Sequence, residues 1–314
     1  MAVIGAGSWG RNLIRVFNSL DNVHLEYIHD IDRDLRDEVA RKYPGVKTPI
    51  STAKALEDDN VDAVVVATPS PAHYDIAMLA VGYGKHVFVE KPMTMSVGDA
   101  QSLVESAANR NVKLMVGHLL EYHPAVELMA LDGSIGRPFC IHTQRLNDGI
   151  VRTTENAWWS LAPHDISVAC YLFNAAPETV SATSLSHRRA WIPDMVWATL
   201  VFPDNRVAHI HVSWSDSIKT RKITMVGPQG TAIWDDMNKD LPLRIDKRVG
   251  GWAIRGEWDS KIEPLKLECQ HFIDCIVNDE TPRSDGLDGL RVVKVLATGE
   301  ASLREGGNLV EVNL

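Results

Sequence analysis

No apolar run in this chain approaches the roughly 20 residues that a membrane-spanning helix requires, and no basic stretch precedes the apolar residues of its N-terminus. The sequence therefore predicts neither a membrane partner nor a signal peptide. Basic residues are also the minority, because 32 Lys and Arg stand against 41 Asp and Glu, a net charge of −9. This balance favours solubility and argues against nucleic acid or an anionic membrane as the main partner.

Cysteine is scarce, and none of the four cysteines belongs to a CxxC pair. They stand at positions 140, 170, 269 and 275. We interpret all four as free thiols in a reducing compartment, packed mainly as small apolar side chains. The sequence therefore predicts a cytoplasmic protein.

Metal-ligand patterns are also sparse. His209 and His211 alternate on one face of a predicted strand, and an HxH pair of this kind can bind a metal ion. The sequence places no third ligand beside them. We therefore predict no metal site, and we interpret the two histidines as part of a sheet surface that faces solvent or another subunit.

The chain of 314 residues is long enough for two domains, and its 45% apolar and 23% charged residues are ordinary for a globular protein. Its first 120 residues alternate short apolar runs with helical patterns. The runs lie at 2–5, 24–30, 61–69, 86–90 and 112–117. Strands that alternate with helices predict an α/β fold with a doubly wound parallel sheet, a Rossmann dinucleotide-binding domain over residues 1–120.

The remaining residues, 121–314, have the pattern of an α+β domain that binds substrate and mediates assembly. Residues 195–216 predict two long strands joined by a Pro-Asp-Asn turn, and residues 222–236 predict a hairpin about Gly-Pro-Gln-Gly. Hairpins indicate a large, mostly antiparallel open sheet. The periodicity of 236–262 is too weak to assign. Helices are predicted near 164–174, 264–277 and 286–304.

The segment GAGSWG (5–10) is a GxGxxG placed directly between a predicted strand and a predicted helix. Gly5 permits a tight turn, Gly7 lets the backbone approach a pyrophosphate, and Gly10 allows the helix to pack closely on the strand. The helix N-terminus offers free N–H groups to the phosphates. Asp30 ends the second predicted strand, where an acid can bind ribose hydroxyls and repel the extra phosphate of NADP. NAD is therefore the expected cofactor, and NADP is less favoured.

Charged residues end the fourth predicted strand, in HVFVEKP (86–92), although a strand directed only at a core needs none there. In an open parallel sheet, ligands bind beyond the carboxyl ends of the strands. Lys91 therefore lies in the predicted cofactor crevice, where it can take or share the proton of a substrate hydroxyl as a hydride leaves. Glu90 is the alternative base, but orienting Lys91 is the better role for it.

A second candidate for proton transfer lies in WWSLAPHDIS (158–167), where His164 and Asp165 are predicted to open a helix. Histidine is the commonest proton acceptor near neutral pH. A histidine at a helix start is more often a structural hydrogen-bond partner. The catalytic assignment therefore depends on His164 meeting Lys91 across the crevice.

Four segments, in this order and spacing, resemble the Gfo/Idh/MocA family, which includes glucose–fructose oxidoreductase and inositol dehydrogenase: GAGSWG, ATPSPAHY, GKHVFVEKPM and LAPHDIS. The resemblance implies an N-terminal Rossmann domain, a C-terminal open-sheet domain and a tightly held nicotinamide cofactor. It implies that Lys91 contacts substrate and cofactor, and that His164 is the acid/base partner. It also implies a homodimer or homotetramer that assembles through the flat face of the second sheet.

The predicted site combines the residue patterns with this resemblance. The predicted catalytic residues are Lys91 and His164. The predicted cofactor-binding residues are Gly5, Gly7, Ser8, Trp9, Gly10, Asp30, Ile31, Thr68, Pro69, His73, Glu90 and Lys91. The predicted substrate-binding residues are Lys91, His118, Tyr122, Arg145, Asn147, Ser160 and His164.

Two positions depart from the family pattern. Ser160 stands where many members carry an aspartate, and Glu121 stands where relatives often have a basic or apolar residue. The segments GHLLEYHPAVE, QRLNDGIVR and WWSLAPHDIS are nevertheless most similar to members that oxidise sugar nucleotides such as UDP-N-acetylglucosamine. The guanidinium groups of Arg145 and Arg152 suit a diphosphate, although surface or subunit salt bridges are an open alternative for them.

The sequence predicts an NAD-dependent dehydrogenase that moves a hydride between nicotinamide and a ring carbon of a sugar, with a nucleotide-linked sugar as the predicted substrate. Two alternatives stay open. One is an inositol or simple monosaccharide dehydrogenase of the same family. The other is a non-catalytic NAD-binding sensor, because Rossmann domains also serve in regulators, and the presence of both Lys91 and His164 speaks against it.

Overall fold

The computed structural model describes residues 1–149, 152–249, 252–254 and 262–313. The chain forms two compact units. The first comprises Met1–Leu119 and Glu263–Val293, and the second comprises Leu120–Ile262 and Lys294–Leu314. The sequence prediction assigned residues 263–293 to the second domain, whereas they fold with the first unit.

A five-stranded sheet forms the centre of the first unit. Its strands are β1 (Ala2–Ile4), β2 (Tyr27–His29), β3 (Ala63–Val66), β4 (His86–Val89) and β5 (Leu114–Val116), in the spatial order β2-β1-β3-β4-β5. All four pairings are parallel, so the strands end at the same edge. Nearly every strand residue is buried, because helices cover both faces of such a sheet. The predicted doubly wound parallel sheet is confirmed.

Five helices connect these strands. They are α1 (Gly10–Phe17), α2 (Arg33–Lys42), α3 (Thr52–Leu56), α4 (His73–Gly82) and α5 (Val97–Asn109). Ser96 caps the N-terminus of α5, since its hydroxyl accepts a hydrogen bond from the Asp99 N–H at 3.1 Å. The capping side chain satisfies an N–H group that has no partner within the helix.

A nine-stranded sheet forms the second unit, counted over the ranges given above. Its strands are β6 (Cys140–Asp148), β7 (Thr179–Leu185), β8 (Met195–Phe202), β9 (Arg206–Ser213), β10 (Ser215–Gly227), β11 (Gly230–Asp235), β12 (Leu243–Lys247), β13 (Trp252–Ile254) and β14 (Val310–Glu311). The spatial order is β13-β12-β11-β10-β6-β9-β8-β7-β14. β6 and β9 run parallel, and the other pairings are antiparallel. The predicted large, mostly antiparallel sheet is confirmed.

Both predicted turns of this sheet are present. Residues 203–205 join β8 to β9, with Asp204 at φ +62° and Asn205 at φ +55°. Asp and Asn tolerate this left-handed region better than other side chains do. The second turn closes the hairpin between β10 and β11, where Gly227 pairs with Gly230. The stretch 236–262, which the sequence left unassigned, supplies β12 and β13, and part of it lies outside the described residues.

Two helices of the second unit are α6 (Pro124–Leu131) and α7 (Ala157–Phe173). The prediction that His164 and Asp165 open a helix near 164 is wrong, because α7 already begins at Ala157. Asn156 caps it by accepting a hydrogen bond from the Trp159 N–H at 3.1 Å. Pro163 lies inside the helix. Proline is favoured in the first turn of a helix, so its presence made the sequence pattern resemble a start.

The last two helices are α8 (Pro264–Val277) and α9 (Gly286–Arg304). α8 folds with the first unit because Phe272 completes a buried aromatic cluster there. Its ring centroid lies 5.7 Å from that of Phe88 and 6.5 Å from that of Phe17, in edge-to-face contacts. The boundary between the units falls within α9. None of the described helices combines the length and the apolar character that a bilayer crossing requires.

Candidate active site

The loop between β1 and α1 requires glycine at two positions and leaves open space at a third. Gly5 adopts φ +104°, and a Cβ there would lie 2.5 Å from the carbonyl oxygen of Ala67. A Cβ on Gly10 would lie 2.1 Å from the carbonyl oxygen of Gly5. A Cβ on Gly7, by contrast, would have no heavy atom of the described residues within 4 Å. This open cradle at the N-terminus of α1 fits the pyrophosphate of a dinucleotide.

We expect Gly7→Ala to weaken dinucleotide binding without loss of stability, and Gly10→Ala to destabilise the first unit. A methyl group at position 7 fits the folded chain but competes with phosphate oxygens for the same space. A tenfold rise in the dissociation constant of NAD corresponds to a loss of about 1.4 kcal/mol of binding free energy. The methyl group at Gly10 has no room unless the backbone of Gly5 moves. Calorimetric titration with NAD and thermal unfolding of both variants check this. Unchanged NAD affinity in Gly7→Ala would contradict the assignment of the cradle.

Asp30 directly follows β2 and is tied to the glycine loop. Its Oδ2 accepts a hydrogen bond from the Ala6 N–H at 2.7 Å, and its Oδ1 accepts one from the Asp32 N–H at 2.9 Å. A carboxylate oxygen can accept a second hydrogen bond, so these contacts leave capacity for ribose hydroxyls. Ile31 is 93% exposed beside it. The geometry at the end of β2 therefore fits the adenosine half of a dinucleotide.

Glu90 follows β4 and is held in a buried position, with 7% of its surface exposed. Its Oε1 accepts a hydrogen bond from Trp9 Nε1 at 2.5 Å, and its Oε2 accepts one from the Lys91 N–H at 3.3 Å. A Cβ on Gly117 would lie 2.9 Å from Oε1, so only glycine leaves room there. Burial raises the pKa of Glu90, against the lowering effect of the Trp9 hydrogen bond. These contacts suit a group that positions the half-buried Lys91.

His73 begins α4 and connects the segments that follow β3 and β4. Its Nδ1 lies 2.8 Å from the carbonyl oxygen of Pro92, and its Nε2 lies 2.9 Å from that of Thr68. The ring is 1% exposed, which suits a role in holding the two segments in place. A direct contact between His73 and the cofactor stays a prediction. In the same region, Thr68 Oγ1 is buried without a hydrogen-bond partner among the described residues, and Pro69 is exposed.

His118 lies just beyond β5 and is buried. Its Nδ1 lies 2.8 Å from Asp288 Oδ2, and Asp288 Oδ1 accepts a hydrogen bond from Arg291 Nη1 at 2.9 Å. No sequence pattern connects His118 with this carboxylate, because Asp288 lies 170 residues further along the chain. The contact of His118 with substrate stays a prediction.

His164 lies inside α7 of the second unit and is half-buried. Pro163, the preceding residue, has no N–H, so the carbonyl of Trp159 lacks its intrahelical hydrogen bond at this point. Ser160 precedes His164 by four residues, one helical turn, and therefore lies on the same face. Lys91 belongs to the first unit and His164 to the second, so their meeting at one substrate stays a prediction.

The two arginines that suit a diphosphate have carboxylate partners within the second unit. Arg145 of β6 donates from Nε to Asp165 Oδ2 of α7 at 2.8 Å, and the two side chains are only 12% and 1% exposed. Arg152 pairs with Glu155 at 2.9 Å. The salt-bridge alternative that the sequence left open is therefore present for both. Asp165 neutralises Arg145 in a buried position, which the sequence analysis did not foresee.

Tyr122, Asn147 and the neighbouring Glu121 place buried polar atoms in the second unit. Tyr122 is 4% exposed, and Asn147 has an Oδ1 atom that is buried without a partner among the described residues. The unusual acid at position 121 has a defined contact, because the Ser167 hydroxyl donates to Glu121 Oε1 at 2.7 Å. Both side chains of that pair are buried. Substrate binding by Tyr122, Asn147 and Ser160 stays a prediction.

Two family models match the chain. The model of the GFO/IDH/MocA oxidoreductase family, NAD-binding Rossmann fold, matches residues 1–118. The model of the GFO/IDH/MocA C-terminal domain matches residues 125–233. The two matched ranges cover more than two-thirds of the chain and lie on either side of the division between the compact units.

Individual relatives are similar over nearly the full chain. UDP-N-acetylglucosamine 3-dehydrogenase of Acidithiobacillus ferrooxidans is 27% identical over 93% of this chain and 93% of its own. 2,7-Anhydro-N-acetylneuraminate hydratase of Escherichia coli is 28% identical over 96% and 93%, and scyllo-inositol 2-dehydrogenase (NAD(+)) of Bacillus subtilis is 23% identical over 97% and 94%. A solved structure of the Acidithiobacillus enzyme has a TM-score of 0.88 at 24% identity, covering 97% of both chains. The fold is therefore shared over nearly all of both chains.

Proposed function

The chain belongs to the Gfo/Idh/MocA oxidoreductase family, and we propose that it is an NAD-dependent dehydrogenase that oxidises a CH–OH group of a sugar. One observation carries the proposal: the open cradle at Gly7 and Lys91, whose backbone N–H is bound by Glu90, lie at the same edge of the parallel sheet. They follow β1 and β4, which only β3 separates. The carboxyl edge is where such sheets bind dinucleotides and their substrates.

The chemistry divides between the cofactor and the chain. When bound, NAD supplies the hydride acceptor. Lys91 takes or shares the proton of the substrate hydroxyl, and the Glu90–Trp9 hydrogen bond keeps the backbone at Lys91 in place. We assign His164 as the second proton carrier, which accepts the proton from Lys91 or from the hydroxyl directly. This assignment requires the two units to enclose one substrate molecule.

We expect NAD to bind more tightly than NADP. The carboxylate of Asp30, held by Ala6, repels a phosphate on the ribose. Two basic side chains near Asp30 already have partners: Arg36 donates from Nη1 to the carbonyl oxygens of Asp30 and Ile31, and Arg33 forms an i,i+4 pair with Asp37 at 3.6 Å. The dissociation constant of NADP should exceed that of NAD, and Asp30→Ser should reduce this difference. Asp34→Asn is the matched control, because it removes one nearby charge without touching the ribose position. Equal or tighter NADP binding by the unsubstituted protein would contradict this expectation.

We further propose that the sugar is nucleotide-linked. Support comes from the similarity to the Acidithiobacillus UDP-N-acetylglucosamine 3-dehydrogenase over 93% of both chains. Buried Arg145 is committed to Asp165, so it is poorly placed to bind a diphosphate. Arg152 is better placed, because its side chain is 54% exposed and one guanidinium nitrogen suffices for Glu155. Binding energy from a remote diphosphate could then position the sugar ring for hydride transfer.

A substrate panel tests this proposal. NADH formation is followed with UDP-N-acetylglucosamine, other UDP- and TDP-sugars, free N-acetylglucosamine and myo-inositol. The proposal expects the highest kcat/KM for a sugar nucleotide. A free sugar or inositol that is oxidised as efficiently as the best sugar nucleotide would refute it and favour the alternative of an inositol or monosaccharide dehydrogenase, in line with the name of the Bacillus relative.

The panel also separates the other classes of function. A non-catalytic sensor would bind NAD and turn over none of the compounds. A reaction like the hydration named for the Escherichia relative would convert substrate without net accumulation of NADH, which mass spectrometry of the products detects. Either outcome would overturn the proposed dehydrogenase while leaving the dinucleotide site intact.

Assembly and compartment also stay proposals. We propose a homodimer or homotetramer through the open face of the nine-stranded sheet, supported by large side chains exposed there, such as Trp197 at 42%. Light scattering of the purified protein measures the subunit number. We propose a cytoplasmic location because all four cysteines are free thiols.

A further inference from the structure

A cluster of one cysteine and two histidines lies on the nine-stranded sheet. β6 and β9 are parallel neighbours, and their register sets His142 directly beside His209. Cys140 precedes His142 by two residues on β6, so its side chain projects from the same face. A third ligand beside His209 cannot be recognised in the sequence, because the pairing of β6 with β9 is not visible in either strand alone.

This face is distinct from the one that carries the proposed active-site residues of the second unit. Arg145, an odd-numbered neighbour on β6, projects to the other face and contacts Asp165 of α7. Side chains alternate along a strand, so even-numbered His142 lies on the opposite side. The cluster therefore shares no residue and no sheet face with His164.

One distance within the cluster is close to that between two ligands of a tetrahedral metal ion, and the third residue lies within reach of the same ion. Cys140 Sγ lies 3.3 Å from His142 Nε2, and ligand atoms of all three residues lie within 4.8 Å of one another. Zinc bonds of about 2.3 Å to sulfur and about 2.0–2.1 Å to nitrogen place tetrahedral ligands about 3.4–3.6 Å apart. The imidazole rings of His142 and His209 are stacked, with centroids 5.2 Å apart, so small rotations bring both to one ion.

A further contact orients one of the ligands. His209 Nδ1 lies 3.0 Å from Thr199 Oγ1, which leaves its other ring nitrogen for the cluster. Such a hydrogen bond on the distal nitrogen is the usual support of a metal-bound histidine.

We propose that Cys140, His142 and His209 bind one zinc ion per chain through Sγ and two imidazole nitrogens. Zinc accepts this borderline set of sulfur and nitrogen donors. On binding, the Cys140 thiol loses its proton to solvent and coordinates as the thiolate. A hollow of about 500 Å³ lined by His142, Thr199 and His209, among others, leaves room for water as the fourth ligand.

The test uses the full-length protein without a histidine tag, stripped with a chelator and then titrated with zinc against a chromogenic competitor. We expect one zinc per chain. Cobalt(II) at the same site should give the visible bands of tetrahedral coordination and a near-ultraviolet thiolate-to-cobalt band. Loss of a hydrogen bond that supports a ligand lowers metal affinity by about 10–100-fold. Loss of a ligand itself should cost more, so Cys140→Ser, His142→Gln and His209→Gln should each lower the zinc affinity by at least about 100-fold.

His211→Gln is the matched control, because His211 lies on the same strand and the same face but outside the cluster, against Trp197. It should keep the zinc affinity and the cobalt spectrum of the unsubstituted protein. Equal losses in His211→Gln and His142→Gln, or a cobalt spectrum without the thiolate band, would overturn the site. Half a zinc per chain would do so too, because it places the ion between two copies. The cluster lies on the sheet face that we propose for assembly, so light scattering accompanies each titration. At unchanged subunit number, dehydrogenase activity should not change in any of these variants, and the outcome is then independent of the proposed catalytic function.

Discussion

Replacement of Lys91 by alanine should lower kcat by about 10²–10⁴-fold, the usual contribution of a general acid or base, while NAD still binds. Lys91 follows β4 at the carboxyl edge of the parallel sheet. Its backbone N–H donates a hydrogen bond to Glu90, which holds the residue in position. The cradle at Gly7 lies on a different loop and is untouched by the substitution. Steady-state kinetics with the best substrate of the panel, together with NAD titration, measures both quantities.

Lys113→Ala is the matched control for this variant. Lys113 directly precedes β5, at the amino edge of the same sheet, and pairs with Asp279 at 2.6 Å. Its removal should leave kcat unchanged. Near-normal kcat in Lys91→Ala would show that Lys91 is not the proton acceptor.

His164→Ala should lose activity in the same range of about 10²–10⁴-fold, whereas the exposed His187→Ala should lose none. If Lys91 and His164 act on one proton, the double variant should lose less than the product of the single losses, because groups that work as a unit are not additive. A double variant that loses the full product would indicate two independent roles.

Asp165→Ala should destabilise the second unit by about 3–5 kcal/mol, because it leaves the guanidinium of Arg145 buried without its partner. The two side chains are 12% and 1% exposed, so water cannot take the place of the carboxylate. Urea denaturation with the tryptophan fluorescence of this unit as the signal measures the loss. The effect should appear without substrate and without cofactor.

The control for this prediction is a surface pair of similar length. Arg137 and Asp204 lie 2.6 Å apart, but their side chains are 69% and 62% exposed. Arg137→Ala breaks this pair and leaves Asp204, at φ +62°, in place, so it should cost no more than about 1 kcal/mol. The double variant Arg145→Met, Asp165→Leu should recover much of the stability that Asp165→Ala loses, since it removes both buried charges. Equal losses in Asp165→Ala and Arg137→Ala would contradict the buried-pair interpretation.

Local patterns were enough to predict the fold of each half. The glycine spacing at 5–10, the apolar run at 61–69 and the charged end of 86–92 each lie within a few neighbouring residues. Such patterns specify a turn, a buried strand and a strand end, and parallel strands bring their ends to one edge. The Pro-Asp-Asn and Gly-Pro-Gln-Gly turns predicted the antiparallel sheet for the same reason. A local pattern misled once, at Pro163, because proline marks helix starts more often than helix interiors.

The partners of the charged and polar side chains could not be predicted in this way. Trp9 reaches Glu90, His118 reaches Asp288 and Arg145 reaches Asp165 only after strands and helices have packed. His142 and His209 become neighbours through the register of β6 and β9. Each of these contacts joins residues that are far apart in sequence, and a shift of one residue in register would turn a strand's side chains to the other face. The amino-acid order therefore specified which chemical groups are present and at which sheet edge they lie, whereas the tertiary packing selected which of them are neutralised, buried or brought together as ligands.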